Sequence, residues 1–319
     1  VTDKPVVAIG ELLIDLIVAD GAPGLETAGT FMARDGGAPA NVAVGLARLG
    51  KAAAFCGVVG ADPFGDRLRA MLVANGVDDR ALRATPAADT TLAFAWKDAR
   101  GDGHFRLLRM ADTQLAIEDL DRARIEQAAA IVVGSVAMAA EPSRATVLAA
   151  VARAHASGVP VVFDINVRPT LWADLGELRA LVENLLPRVT LLKLSLDDAV
   201  LLYGETMDAY AVFRKAHAAG TRFVALTDGA RGAWRPDAHG NPVHLPAFSI
   251  VPVEPTGAGD AFTAGLIARL IDNGWSGIGD DDLRYAAAAG ALTATRPGAI
   301  DALPTAADVA AFLAQQAAG

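Results

Sequence analysis

The sequence predicts an α/β protein: a three-layer α/β/α sandwich around a mostly parallel central sheet, carrying a small β-sheet lid. Three observations lead there. From Ile125 onward, apolar segments at 131–136, 159–165, 190–194 and 222–227 alternate with helical stretches at 143–156, 174–186 and 208–219, as βαβ units do. Those segments are Val, Ile and Leu runs without polar alternation, which puts both faces of the sheet under cover. Two early stretches, about 12–35 and 88–112, read as extended yet interrupt the rhythm, so they are expected to project as the lid. No linker, repeat or low-complexity break divides the 319 residues, and one domain over 1–319 is expected.

Taken in order, Val6 to Ile9 reads as a buried strand, and the apolar pattern continues from Leu12 to Val18, broken by Asp15. Asn41 to Leu49 forms a small-residue helix with Val42, Leu46 and Leu49 on one face, closed by Gly50. Residues 53–59 return as strand and 64–74 as helix. Thr90 to Trp96 and His104 to Met110 flank Asp98-Ala99-Arg100-Gly101-Asp102-Gly103 and predict a hairpin. A later hairpin is expected around Asp237 to Pro242, then a strand over Phe248 to Val253, and a mostly helical tail from Asp280.

Composition excludes several classes. A formal net charge of -9 and the lack of any basic run argue against nucleic acid or an anionic membrane as partner. The longest mild apolar run, Ala128 to Ala140, falls short of the roughly 18 residues a membrane span needs. Cys56 is the lone cysteine and sits in an apolar run, so a buried thiol in a reducing, cytoplasmic setting is expected. The first strand follows Asp3-Lys4-Pro5 too closely for a signal peptide, and export is not expected. No cysteine and histidine pair has zinc-ligand spacing, so any metal should arrive with a substrate.

Chemistry concentrates in Glu254-Pro255-Thr256-Gly257-Ala258-Gly259-Asp260-Ala261-Phe262. Downstream, Phe262, Leu266, Ile267, Leu270 and Ile271 recur at helical spacing, so Gly257 to Gly259 sits at a helix N-terminus. Its first amides lack intrahelical partners and the positive end of the dipole faces outward, which makes a site for a phosphate-like anion. Asp260 stands in the first turn, placed to take a proton from an attacking hydroxyl. The plainer alternative is that Asp260 only complements the helix dipole, worth about 0.3 to 1 kcal/mol.

Two near-motifs fail. In Gly45-Leu46-Ala47-Arg48-Leu49-Gly50-Lys51-Ala52 an alanine replaces the hydroxyl residue of a phosphate-binding P-loop, and its glycines end a helix instead of opening one. Gly257-Ala258-Gly259-Asp260-Ala261-Phe262 lacks the third glycine of a dinucleotide fingerprint. By contrast, Gly36-Gly37-Ala38-Pro39-Ala40-Asn41-Val42-Ala43 through Leu49-Gly50, followed by Thr256-Gly257-Ala258-Gly259-Asp260, resembles the paired signatures of the ribokinase family of carbohydrate kinases, most of all its fructokinases. The likeness runs from Gly10 to about Pro304.

That resemblance implies a set of roles. Asp15, Gly36, Gly37 and Asn41 match positions that hold sugar hydroxyls, Asp260 matches the catalytic base, and Gly257, Ala258 and Gly259 match the anion hole. Thr227-Asp228-Gly229-Ala230-Arg231-Gly232 matches the nucleotide-phosphate turn, giving Thr227, Gly229 and Gly232 as nucleotide contacts beside Lys193, Ser195 and Ala287. Arg168, in Asp164-Ile165-Asn166-Val167-Arg168-Pro169, and Arg109, at the end of the lid hairpin, match positions that approach the sugar; the plainer alternatives are a surface salt bridge for Arg168 and a solvated side chain for Arg109.

The chain also departs from the family. Ser195 and Asp198 stand where the family often has Asn and Glu beside the magnesium waters. Glu254, close to Thr256, stands where Asp often adjoins a monovalent-cation site, and Ala287 where Asn often lies beside the adenine. ATP with Mg2+ is the implied cofactor set, with K+ as a further candidate and a homodimer through the lid as a further expectation. The activity implied is ATP-dependent phosphorylation of a small sugar, fructose first. A 2-keto-3-deoxygluconate kinase, a nucleoside kinase and a sugar-binding sensor without turnover are the alternatives.

Overall fold

The computed structural model describes residues 4–98, 100 and 103–318. Its strands are β1 (Val6–Ile9), β2 (Leu13–Val18), β3 (Phe31–Gly36), β4 (Ala53–Gly60), β5 (Asp78–Thr85), β6 (Leu92–Lys97), β7 (Gly103–Leu108), β8 (Ala130–Gly134), β9 (Val161–Ile165), β10 (Leu191–Ser195), β11 (Phe223–Thr227), β12 (Ala233–Pro236) and β13 (Pro242–Leu245). The helices are α1 (Ala38–Arg48), α2 (Pro63–Ala74), α3 (Asp119–Ala123), α4 (Ser143–Ala156), α5 (Leu175–Leu185), α6 (Leu196–Tyr203), α7 (Ala209–Ala218), α8 (Ala258–Asp272), α9 (Asp280–Ala294) and α10 (Ala306–Ala318), with short 3-10 turns between some of them.

Nine strands form the large sheet in the order β13-β12-β11-β10-β9-β8-β1-β4-β5. It is parallel from β11 to β5, while β12 and β13 add an antiparallel hairpin at one edge. Neighbouring residues of β1 face opposite ways, as a strand period of two requires. Val7 and Ile9 enter one core with Val147 and Val151 of α4 and Phe213 of α7, whereas Val6 and Ala8 enter the other with Leu46 of α1 and Leu266 of α8. Helices therefore cover both faces, which explains why the central strands carry no polar alternation.

The other four strands form a separate sheet in the order β3-β2-β6-β7, with β2 and β6 parallel and the outer pairs antiparallel. This is the expected lid. Hairpin residues Ala99, Gly101 and Asp102 lie outside the described residues. Phe31, Met32, Phe105 and Leu108 are exposed on it. Among the described residues, no helix is long and apolar enough to cross a membrane.

Three local readings need correction. Phe248 to Val253 alternates like a strand but is irregular: Val251 is 84% exposed, Pro252 has no N–H to give a ladder, and the amides of Val253 and Glu254 donate to the Ala294 carbonyl at the end of α9. Conversely, β5 is a strand that the apolar pattern does not announce. It lies at a sheet edge and carries the charges, Asp78, Asp79 and Arg80, that edges tolerate. α6 also went unannounced; the Ser195 hydroxyl starts it by accepting from the Asp198 N–H at 3.0 Å.

Candidate active site

The C-terminal ends of β1, β8, β9, β10 and β11 open toward one side, where α/β sheets hold ligands. Gly10 and Glu11 follow β1, Val136 follows β8, Asn166 and Arg168 follow β9, and Ser195 and Thr227 end β10 and β11. Helix α8 starts there. Gly257, its N-cap, has φ of +79, and a β-carbon on it would lie 3.1 Å from Ala299 Cα, so only glycine fits without strain. The Ala258 N–H donates to the Pro255 carbonyl. Among the described residues no protein acceptor meets the N–H of Gly257 or Gly259. The expected anion hole is thus narrowed: Ala258 is spent on closing the turn, and the two glycine amides remain.

Asp260 sits in the first turn of α8, 9% exposed, where its Oδ2 accepts from Asn41 Nδ2 at 2.7 Å. One turn further along both helices, a β-carbon on Gly45 would lie 2.8 Å from Ala264 Cβ. The missing side chain at Gly45 lets α1 approach α8 closely enough for Asn41 to reach Asp260. Burial pushes the Asp260 carboxyl up to about 6, with the Asp164 charge adding to the rise; the Asn41 bond and the charges of Lys193 and Arg168 oppose it. A carboxylate near neutrality, at the N-terminus of a helix, is suited to accept a hydroxyl proton.

In front of Asp260 lies a cleft of about 350 Å³, lined by Asp15, Gly37, Asn41, Asn166 and Arg168, by Thr256, Gly257 and Gly259, and by Ala93, Phe105 and Leu107 of the lid. Its size suits a small molecule. Asp15 of β2 reaches it beside Gly36, where a β-carbon would lie 2.1 Å from Asp15 Oδ2. Burial pushes Asp15 up to about 7, aided by the charges of Asp260 and Glu254 and opposed by Arg168. Arg168 donates to its own Val167 carbonyl at 3.0 Å and lies over the Phe105 ring, and no ion-pair partner meets it among the described residues.

Arg109 is a correction. Its Nε donates to Asp112 at 2.6 Å and its Nη1 to the Val136 carbonyl at 2.7 Å, and it does not line the cleft. Asp112 also accepts from the Thr91 hydroxyl and the Met110 N–H, so Arg109 and Asp112 tie the roots of β6 and β7 to the main body. Glu11, by contrast, lines the cleft and was not singled out. An acid inside the apolar run from Val6 to Ile14 was the available signal.

On the other side of α8, Lys193 of β10 pairs with Asp164 of β9 at 3.0 Å, and the Thr263 hydroxyl donates to the second Asp164 oxygen at 2.7 Å. A β-carbon on Gly259 would lie 3.2 Å from Lys193 Nζ, so the ammonium packs directly under the glycine turn. Burial alone would push Lys193 down, but the charges of Asp164 and Asp260 outweigh it and hold it above its ordinary value. The turn from Thr227 to Gly232 closes through Asp228 N–H on the Gly232 carbonyl, with Gly229 and Gly232 at positive φ and Arg231 paired to Asp228. Ala287 of α9 is half-buried against the neighbouring core and offers no polar group.

Asp198 accepts from Ser195 Oγ and from the Val167 N–H, and Glu254 Oε2 accepts from the Gly298 N–H at 2.9 Å. Among the described residues no three His, Cys, Asp or Glu side chains form a metal cage. Such a donor set fits a cation that arrives on phosphates and keeps most of its waters.

Residues 3–306 match the pfkB family of carbohydrate kinases. Fructokinase-1 of Zea mays is 35% identical over 313 residues, 95% of this chain and 96% of its own length. A fructokinase of Xylella fastidiosa with bound ATP superposes with a TM-score of 0.87 at 29% identity, covering 99% of this chain and 100% of that one. A fructokinase double mutant of Vibrio cholerae O395, in a form with fructose, ADP and potassium bound, gives a TM-score of 0.82 at 30% identity over 98% of this chain and 99% of that one. The chain belongs to the pfkB family of carbohydrate kinases. It is a sugar kinase, and the relatives it resembles are fructokinases.

Proposed function

We propose that the chain transfers the γ-phosphate of ATP to a hydroxyl of a small sugar, fructose foremost, with Asp260 as general base. The observation that carries this reading is a buried carboxylate at about 6, fixed by Asn41 and standing beside two unspent glycine amides at a helix N-terminus. Asp15, Asn41 and the backbone at Gly36 and Gly37 hold the sugar hydroxyls and turn one toward Asp260. Asp260 takes the proton of that hydroxyl as its oxygen bonds to the γ-phosphorus and the bond to ADP breaks. The amides of Gly257 and Gly259 receive the oxygens of the transferring group. Phosphoryl transfer asks mainly for positioning and oriented donors, which this arrangement supplies.

The Thr227 to Gly232 turn cradles the nucleotide phosphates, with Lys193, Ser195 and Ala287 near the nucleotide. Asp198 would be the residue on the side of the Mg2+ that arrives on ATP, where that cation would neutralise phosphate charge. Glu254 and Thr256 are the residues for K+, in line with the potassium-bound relative. The chain acts as one unit whose lid, roughly 12–35 and 88–112, closes over the sugar; the exposed apolar residues on that sheet support a homodimer through it. A reducing cytoplasm suits the buried Cys56.

A second reading has its own support. Arg168 lines the cleft without a carboxylate partner, which suits an acidic sugar such as 2-keto-3-deoxygluconate. ADP release measured across fructose, keto-sugar acids, ribose and nucleosides separates the two. Turnover on fructose at least about tenfold above the others is expected, and a preference for the keto-sugar acid would transfer the main reading to Arg168.

A further inference from the structure

Glu11 has no task in the mechanism above, yet the fold holds it where an idle acid is costly. It is 3% exposed and lines the cleft together with Asp15, Asn41 and Asp260. Its Oε2 is buried and meets no hydrogen-bond partner. An oxygen in that position has lost its hydration and gained nothing in return. Neighbouring charge gives only partial relief: Arg109 faces Glu11, but no ion pair joins the two among the described residues, its Nε and Nη1 are bound to Asp112 and the Val136 carbonyl, and its Nη2, beside Asp112, is itself buried without a hydrogen-bond partner. Burial pushes Glu11 up to about 7, and its own backbone N–H and the Arg109 charge pull the other way.

An unpaired buried group in a native protein calls for a missing partner. Two partners have access. One is a ligand in the cleft, and the other is a single water in the small neighbouring pocket that Glu11 also lines with Ser135, Asp164 and Asn166. The first is favoured by the company Glu11 keeps: Asn41 Oδ1, in the same cleft, is likewise buried and unpartnered among the described residues. Two idle acceptors on one cleft match a ligand rich in hydroxyl donors.

We propose that Glu11 is a sugar-contacting residue that determines specificity, its carboxyl accepting one particular hydroxyl of the bound sugar. The inference rests on the sugar-kinase reading. A sugar lacking that hydroxyl leaves the carboxyl unpaired and is rejected for that reason.

The test combines Glu11→Ala and the shape-preserving Glu11→Gln with the best natural sugar and its monodeoxy analogues, using sugar-dependent ADP release. Glu11→Ala is expected to raise the KM for the sugar about tenfold or more, Glu11→Gln less, while the KM for ATP stays within about threefold. One deoxy analogue should be poor with the wild-type enzyme and lose nothing further in either variant. An unchanged sugar KM, or the same penalty for the sugar and every analogue, overturns the proposal and leaves Glu11 to a water in the small pocket. If the wild-type enzyme turns over no sugar at all, the sugar-kinase reading fails instead.

Discussion

The two ends of the active site are built on opposite terms. At the sugar end, Glu11, Asp15 and Asp260 are acids pushed up to between about 6 and 7, and Glu11 Oε2 and Asn41 Oδ1 have no partner. At the nucleotide end, Asp164 has Lys193 and Thr263, Asp228 has Arg231, and Asp198 has Ser195 and the Val167 amide. The proposed sugar end holds two unpaired acceptors that match a ligand's hydroxyl donors. At the proposed nucleotide end the acids already have partners within the protein. On the proposed assignment, one end selects its ligand and the other positions a phosphate.

The largest effect should follow from Asp260→Asn, which keeps the shape at the boundary of the two ends and removes the basicity. Turnover is expected to fall roughly a hundredfold to ten-thousandfold with sugar affinity nearly intact. Turnover within about threefold of wild type, measured alongside sugar binding by calorimetry, would remove Asp260 from the chemistry.

Stability should respond with opposite signs at the two ends. Lys193→Met strands the Asp164 charge in the core, and thermal and denaturant unfolding should show a loss of about 3 to 5 kcal/mol. Glu11→Gln should instead stabilise the empty enzyme at alkaline pH. The folded carboxyl lies at about 7 against an ordinary 4.5, so its contribution is most favourable below about 4.5 and is lost as pH rises through about 7. At pH 8 the wild-type penalty is on the order of 3 kcal/mol, and the gain in Glu11→Gln should shrink toward zero at acid pH. A loss in Glu11→Gln at pH 8 would erase the contrast.

Asp15→Ala should weaken sugar binding by about 1.5 to 3 kcal/mol per charge-assisted bond while the KM for ATP barely moves. A shift in the ATP value alone would place the sugar elsewhere. Smallest and most local is the lid response: hydrogen exchange in β6 and β7 should slow with sugar and much less with nucleotide, because the lid strands line the sugar end. Exchange indifferent to sugar would make those strands a fixed wall.

Much of this was legible in the chain because the central strands are buried on both faces and the glycine turns need glycine. Val6–Ile9 and the segments at 161–165, 191–195 and 223–227 appear as apolar runs, and Gly257 through Asp260 as a helix start beside an acid. The edge strand β5 escaped notice because its charged residues mask the period of two. Phe248 to Val253 misled for the converse reason, since alternation alone supplies no neighbouring strand. Arg109 and Glu11 exchanged expected places because which of two nearby charges faces the cleft depends on Asp112 and the Val136 carbonyl, far from Glu11 in sequence.

The most direct measurement is a crystal structure of the chain with its sugar and a non-hydrolysable ATP analogue. The expected result is one sugar hydroxyl within about 3.2 Å of the Asp260 carboxylate, another on Asp15, and the terminal phosphate on the amides of Gly257 and Gly259. A sugar whose hydroxyls meet neither Asp260 nor Asp15, or a phosphate held away from those amides, would contradict the assignment of base and anion site together.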